Sequence, residues 1–165
     1  MNTVPPLTVL QYLALIHQFS YAKVCNDVGV TPQQFTDWVK KRRPVPKERL
    51  DLLASYFHVE FTALIEEDFY LKDLTEERKI EVQIIFLRQK LEQPEEFPEK
   101  EGYQDKLEQL SRDQEKLHQI SRFTAVYEQG SEYTRQLCRE FLSRLEQGSE
   151  TQLASILQTE EETNQ

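Results

Sequence analysis

Glycine is scarce, with four in 165 residues. Enzymes built on phosphate-cradling loops spend several glycines within a few positions, so the shortage argues against an α/β enzyme of that kind. Cysteine is scarcer. Cys25 and Cys138 stand far apart, give neither a disulfide framework nor a metal spacing, and fit a reducing bacterial cytoplasm. No apolar run reaches the roughly 18 residues a membrane helix needs. The opening Met1-Asn2-Thr3-Val4-Pro5-Pro6 has no basic region followed by an apolar stretch, so no signal peptide is expected. Alternating Val/Ile/Thr runs, the mark of strands, are absent too. His17, His58 and His118 are scattered without matching Cys, Asp or Glu spacing. Glu66-Glu67-Asp68 reads as a solvated face. No nucleophile–base pair emerges, so no metal, cofactor or catalysis is expected.

What is present is charge, unevenly spread. The net charge of -9 alone argues against nucleic acid, but residues 1–60 carry seven Lys/Arg against five Asp/Glu, and residues 61–165 carry thirteen against twenty-four. Positions 40–49 hold Lys40, Lys41, Arg42, Arg43, Lys47 and Arg49 against one acid, Glu48. A polyanion feels this local field, because salt screens charges beyond about 8–10 Å. The acidic remainder must then face away from it.

The apolar residues recur at helical spacing, which predicts an all-α chain. Leu7, Leu10, Leu13, Ala14 and His17 share a face of a first helix reaching about Gln18. A second helix fits Tyr21–Val28, with Ala22, Val24, Cys25 and Val28 apolar, and Gly29 follows at a natural stop. Thr31 then caps a third helix, with Pro32 at its first position and Gln34 completing a capping box. Phe35, Trp38 and Val39 form its apolar side, and Pro44 and Pro46 prevent its continuing. A fourth helix, about Lys47–Phe57, buries Leu50, Leu53, Ala54 and Phe57, and Phe61–Ile65 adds a short fifth. Later helices are expected from Thr75 to about Gln93, over about Tyr103–Glu128, and over Glu132–Gln147. A linker or sharp bend is expected about residues 92–102. Ser149-Glu150-Thr151-Gln152 reads as another capping box leading to Leu153, Ile156 and Leu157, and residues 159–165 as a disordered acidic tail.

A tight glycine corner between the second and third helices is a helix-turn-helix pattern. Ala22, Cys25, Gly29, Val30, Phe35 and Trp38 form its expected core: Cys25 lets the helices approach, Val30 plugs the gap, and Phe35 and Trp38 anchor the third helix. Thr31, Gln33, Gln34, Thr36, Asp37 and Lys40 are left facing outward as candidate base contacts. Glutamine can pair bidentately with adenine, and Asp37 can accept from a cytosine amino group or orient Lys40. Lys41, Arg42, Arg43 and Lys47 are candidate backbone contacts, each phosphate engaged adding about -0.9 to the salt slope.

Tyr21–Trp38 resembles the corresponding core of the lambda-repressor/Cro-like superfamily, also called the xenobiotic-response-element family. The stretch Gly29-Val30-Thr31-Pro32-Gln33-Gln34-Phe35-Thr36-Asp37-Trp38-Val39-Lys40-Lys41-Arg42-Arg43-Pro44-Val45-Pro46 is similar to small phage and plasmid repressors, and the likeness covers about residues 7–65. Cys25 stands where the family usually has Ala, Phe35 where it has Ile or Val, and the loop after Trp38 lacks a common glycine. The resemblance implies a five-helix DNA-binding domain, a recognition helix at Pro32–Lys40, and a basic loop lying on the DNA backbone.

The expected organisation is a helix-turn-helix domain over 1–68 and a helical oligomerisation region over 69–158. Ile80, Ile84, Leu87, Leu107, Leu110, Leu117, Leu137, Phe141 and Leu145 supply the apolar stripes for self-association as a dimer or tetramer, unless those helices fold together within one chain. Gln114 reads as a register-setting polar residue in the seam. The expected function is a sequence-specific double-stranded DNA-binding regulator, most simply a repressor of a phage, conjugative plasmid or other mobile element. An antirepressor protein or signalling peptide remains open as a further partner. The alternative is an adaptor or antitoxin whose acidic helices bind a basic protein or a peptide.

Overall fold

The computed structural model of the chain describes residues 6–94 and 97–148. All regular structure among them is helical, with eight helices and no strand. Two isolated bridges, Thr8 with Asp73 and Ile65 with Leu71, are the only sheet-like pairings there. The capping box at Ser149, the apolar Leu153, Ile156 and Leu157, and the tail 159–165 lie outside the described residues. None of the helices is long and apolar enough to cross a membrane. The chain divides into two compact units, one ending at Glu115 and the other beginning at Lys116.

In the first unit, α1 (Val9–Ile16) starts later than Leu7 because Thr8 caps it. The Thr8 hydroxyl accepts from the Gln11 amide while the Gln11 side chain accepts from the Thr8 amide. Leu7 therefore lies outside the helix and is exposed. α2 (Tyr21–Val28) and α3 (Pro32–Val39) follow, then α4 (Lys47–Phe57) and the single turn α5 (Phe61–Leu64). Leu10, Leu13, Val24, Leu50, Leu53, Phe57 and Leu64 are almost fully removed from water and form the centre of one core.

That core does not stop at residue 68. Leu71 and Val82 are buried in it, and α6 (Glu76–Leu91) packs along α1. The backbone ties both sides of Thr8 to the segment before α6: the Val9 amide donates to the Lys72 carbonyl and the Leu74 amide to the Leu7 carbonyl. Gln83 donates to the Tyr12 hydroxyl at 2.6 Å. The expected boundary after residue 68 thus falls inside a packed unit.

α6 also packs on the first half of α7 (Lys100–Gln129). Ile84, Leu87 and Leu110 form a second buried cluster, with Ile80, Tyr103 and Leu107 against it. Five residues of the expected oligomer stripe, Ile80, Ile84, Leu87, Leu107 and Leu110, are therefore occupied within one chain. The expected bend is shorter than residues 92–102, because α7 begins at Lys100 and takes Gly102 into its first turn. Gln114 continues the face of Tyr103, Leu107 and Leu110 but is exposed rather than in a seam, because the buried cluster on that face ends at Leu110.

The second unit takes the remainder of α7 and adds α8 (Glu132–Glu146). The turn between them is tight: the Gly130 amide donates to Val126, and a Cβ at Gly130 would meet that carbonyl and the Thr134 side chain at 2.6 Å. Ser131 caps α8 by accepting from the Thr134 amide. No described residue of this unit is buried.

Candidate nucleic-acid interface

α2 ends because Gly29 adopts a left-handed backbone (φ 71°, ψ 41°), a conformation that costs other residues about 1 kcal/mol or more. The Val30 amide then reaches back to the Cys25 carbonyl at 2.9 Å, and Val30 is buried. Thr31 restarts the chain as a helix. Its hydroxyl accepts from the Gln34 amide and the Gln34 side chain accepts from the Thr31 amide, so both members of the box are in place. Cys25, Phe35 and Trp38 are buried and hold the two helices together. Burial pushes the Cys25 thiol up, which leaves it a neutral packing group. Tyr21 packs its ring against Phe35 in a tilted pair, with centroids 5.1 Å apart.

Ala22 departs from the expected core, for it is exposed. The inward face of α2 is carried by Val24, Cys25 and Val28, and at 100° per residue Ala22 falls on its flank.

The outward face of α3 carries Thr31, Gln33, Gln34 and Lys40 exposed, with Thr36 and Asp37 half-buried. Gln33 donates from Nε2 to Asp37 Oδ1 at 3.0 Å, and Arg42 Nη1 lies 3.4 Å from the same oxygen. Asp37 therefore gathers Gln33 and Arg42, and Lys40 is not the residue it orients. Thr36 donates to the Pro32 carbonyl at 2.8 Å, which uses its hydroxyl proton within the helix. Gln34 spends its oxygen on the cap.

The basic turn is anchored from behind. α3 closes with Lys41 in the left-handed region (φ 52°), and the Arg42 amide donates to the Asp37 carbonyl at 2.8 Å. Val45 is buried and its amide donates to the Phe69 carbonyl, so the loop is pinned to the core. Lys41 Nζ pairs with Asp73 at 2.7 Å, which places it against the protein. Lys40, Arg43 and Lys47 are exposed and meet no acid among the described residues. Arg49 is turned inward, its Nη1 3.4 Å from the Val28 carbonyl, where a cation suits the end of α2.

Two braces had no mark in the sequence beyond their charge, Arg49 and the partner acid Asp73. A third joins α2 to α4. Tyr56 donates to Asp27 at 2.7 Å, and Lys23 pairs with the same carboxylate at 2.7 Å. Burial, then the bond to Asp27, pushes the Tyr56 phenol up to about 12, while Lys23 and Tyr56 hold the Asp27 carboxyl below its usual range.

Among the described residues no group of His, Cys, Asp and Glu is placed to hold a metal ion. Leu117, Leu137, Phe141 and Leu145 lie in the second unit, Leu117 half-buried and the other three exposed. Comparison with protein-family models, with curated proteins and with solved structures gives no match.

Proposed function

We propose that this chain is a sequence-specific double-stranded DNA-binding regulator, with its first five helices arranged as a lambda-repressor/Cro-like helix-turn-helix domain. The observation that supports it most is the outer side of α3 and the turn after it. Thr31, Gln33 and Lys40 stand exposed on a short capped helix, and Arg43 and Lys47 follow without acid partners. A helix of this width enters a major groove, and amide and hydroxyl groups there read base edges. Gln33, steadied by Asp37, is the leading base reader. Arg42 lies beside it, and Lys40, Arg43 and Lys47 engage phosphates. Lys41 contributes less, since leaving Asp73 offsets what a phosphate offers. The reading is of a bacterial cytoplasmic repressor from a phage, plasmid or other mobile element, which acts as an oligomer by covering promoter DNA, without catalysis or cofactor.

Binding measured on DNA upstream of the protein's own gene, at two salt concentrations, tests this. Gln33→Ala is expected to relax preference at one base pair, worth about 1–3 kcal/mol of discrimination. Arg43→Ala is expected to weaken all sequences alike and to reduce the salt slope by about 0.9. Wild-type behaviour in both variants would overturn the interface.

A second reading rests on residues 61–115, which carry sixteen Asp/Glu against eight Lys/Arg. Such a surface suits a basic protein or peptide, as an adaptor or antitoxin would require. Absence of any DNA affinity at low salt, with saturable binding of a basic peptide, would favour it.

A further inference from the structure

Few polar groups on the outer side of α3 keep their full hydrogen-bonding capacity. Gln34 has its side-chain oxygen on the cap, and Thr36 has its hydroxyl proton on Pro32. Gln33 is held differently. It donates from Nε2 to Asp37 Oδ1 at 3.0 Å, which leaves its other N–H and its Oε1, the donor and acceptor that match N7 and the N6 amino group of adenine. The same Asp37 oxygen holds Arg42 Nη1 at 3.4 Å. Residue 42 is tied to residue 37 a second time by its backbone, whose amide donates to the Asp37 carbonyl at 2.8 Å after the left-handed turn at Lys41. Two links from one residue thus place the guanidinium, and most of its fork of donors remains. Beneath these partners the Asp37 side chain is only 15% exposed, whereas that of Arg42 is 56% exposed.

We propose that Arg42 is a second base reader, for guanine, and that Asp37 is the positioning residue that sets it beside Gln33. This rests on the reading of α3 as the helix that enters the groove. Charge separates Arg42 from its neighbours. The carboxylate beside it offsets its pull on a phosphate, while Lys40, Arg43 and Lys47 meet no acid among the described residues. Shape points the same way. A planar guanidinium fork fits O6 and N7 of guanine bidentately, and a fork ordered beforehand loses less conformational freedom on binding. Asp37, covered by its two partners, is poorly placed to accept from a cytosine amino group itself. Spacing then constrains the DNA. Gln33 Nε2 and Arg42 Nη1 both lie within 3.4 Å of one oxygen, so the bases they read are no more than about two base-pair rises of 3.4 Å apart. One pair cannot supply both adenine and guanine. The two bases therefore lie on neighbouring pairs of each half-site.

Selection of bound sequences from randomised duplex DNA by the full chain, followed by titration of single base-pair changes in the selected site, tests this. The wild type is expected to select a site with adenine and guanine on neighbouring pairs, and replacing that guanine is expected to weaken binding roughly tenfold or more. Arg42→Lys keeps the charge and loses the fork. It is expected to bind with an unchanged salt slope while the same guanine replacement costs it less than about threefold. Asp37→Ala, at a helix surface where alanine is well tolerated, is expected to relax preference at both pairs together. It is also expected to raise affinity for unrelated DNA, roughly threefold at low salt, because a carboxylate leaves the groove. A protein in which Asp37 merely supported the helix would lose affinity for all DNA instead. An Arg42→Lys variant that discriminates at every position as the wild type does overturns the inference and leaves the regulator reading standing. So does an Arg42→Ala variant that weakens all sequences alike and lowers the salt slope by about 0.9, the behaviour of a phosphate contact. A wild type that selects no sequence at all removes the regulator reading, and this inference with it.

Discussion

At the scale of single residues, His17 is the least comfortable group in the first unit. Its ring lies among Phe19, Phe57 and Phe86, with centroids 5.5, 5.5 and 5.0 Å away. Its Nε2 is sealed from water and has no hydrogen-bond partner among the described residues. Burial, and then the positive charge of Lys90 and the neighbouring His58, hold its pKa below the ordinary value. A histidine with a depressed folded pKa contributes stability while neutral, above its unfolded pKa near 6.5, and that contribution is lost as pH falls through the lower folded value. Denaturant midpoints are therefore expected to drop between about pH 7 and pH 5, and His17→Phe is expected to flatten that drop. Equal pH slopes in the two proteins would contradict this. The sequence put His17 on the apolar face of the first helix, and it does lie there. Its third aromatic neighbour comes from α6, a contact that no local spacing encodes.

The helices themselves were legible where caps are spelled in side chains. Tyr21–Val28 and Lys47–Phe57 match the expected spans to the residue, and Thr31, Thr75 and Ser131 cap as their chemistry dictates. The stops were harder to read. In the first unit four helices close through a left-handed residue, at Gln18, Gly29, Lys41 and His58, and only one of these is glycine. In each case the next amide reaches back five residues: Phe19 to Ala14, Val30 to Cys25, Arg42 to Asp37 and Val59 to Ala54. Three of those next residues are apolar and pack on the core, and their burial offsets the strain of a side chain at positive φ. The exception is Arg42, whose guanidinium turns to Asp37 on the outer face. The same motif that seals the other helix ends thus leaves a cation beside the candidate DNA-reading surface. At the start of α3, Thr31→Ala removes the hydroxyl half of the box, and a loss of about 1 kcal/mol is expected in urea unfolding with an unchanged m-value. Thr31→Ser is expected to restore it. A Thr31→Ala protein as stable as wild type would mean the cap contributes nothing there.

On the scale of the whole molecule, the change of composition near residue 65 suggested a boundary that the packing does not respect. The apolar pattern of α6 is visible in the sequence. Which surface it covers is not, because α1 and α6 are paired by tertiary contact across some sixty intervening residues. α6 divides its apolar side chains between two clusters: Val82 enters the core of α1 to α5, while Ile84 and Leu87 meet Leu110. A chain ending at residue 68 would lose Leu71, which is fully buried, and Val82. It would also lose the backbone bonds to Leu7 and Val9, the Gln83–Tyr12 bond and the Lys41–Asp73 pair. Each buried aliphatic side chain is worth about 1.5–3 kcal/mol against a total stability of about 5–15 kcal/mol. The fragment 1–68 is therefore expected to melt broadly and at lower temperature, whereas 1–115 is expected to unfold cooperatively near the midpoint of the first unit in the full chain. Scanning calorimetry of the two fragments decides between these boundaries, and equal midpoints would show that α6 rests on the core without supporting it.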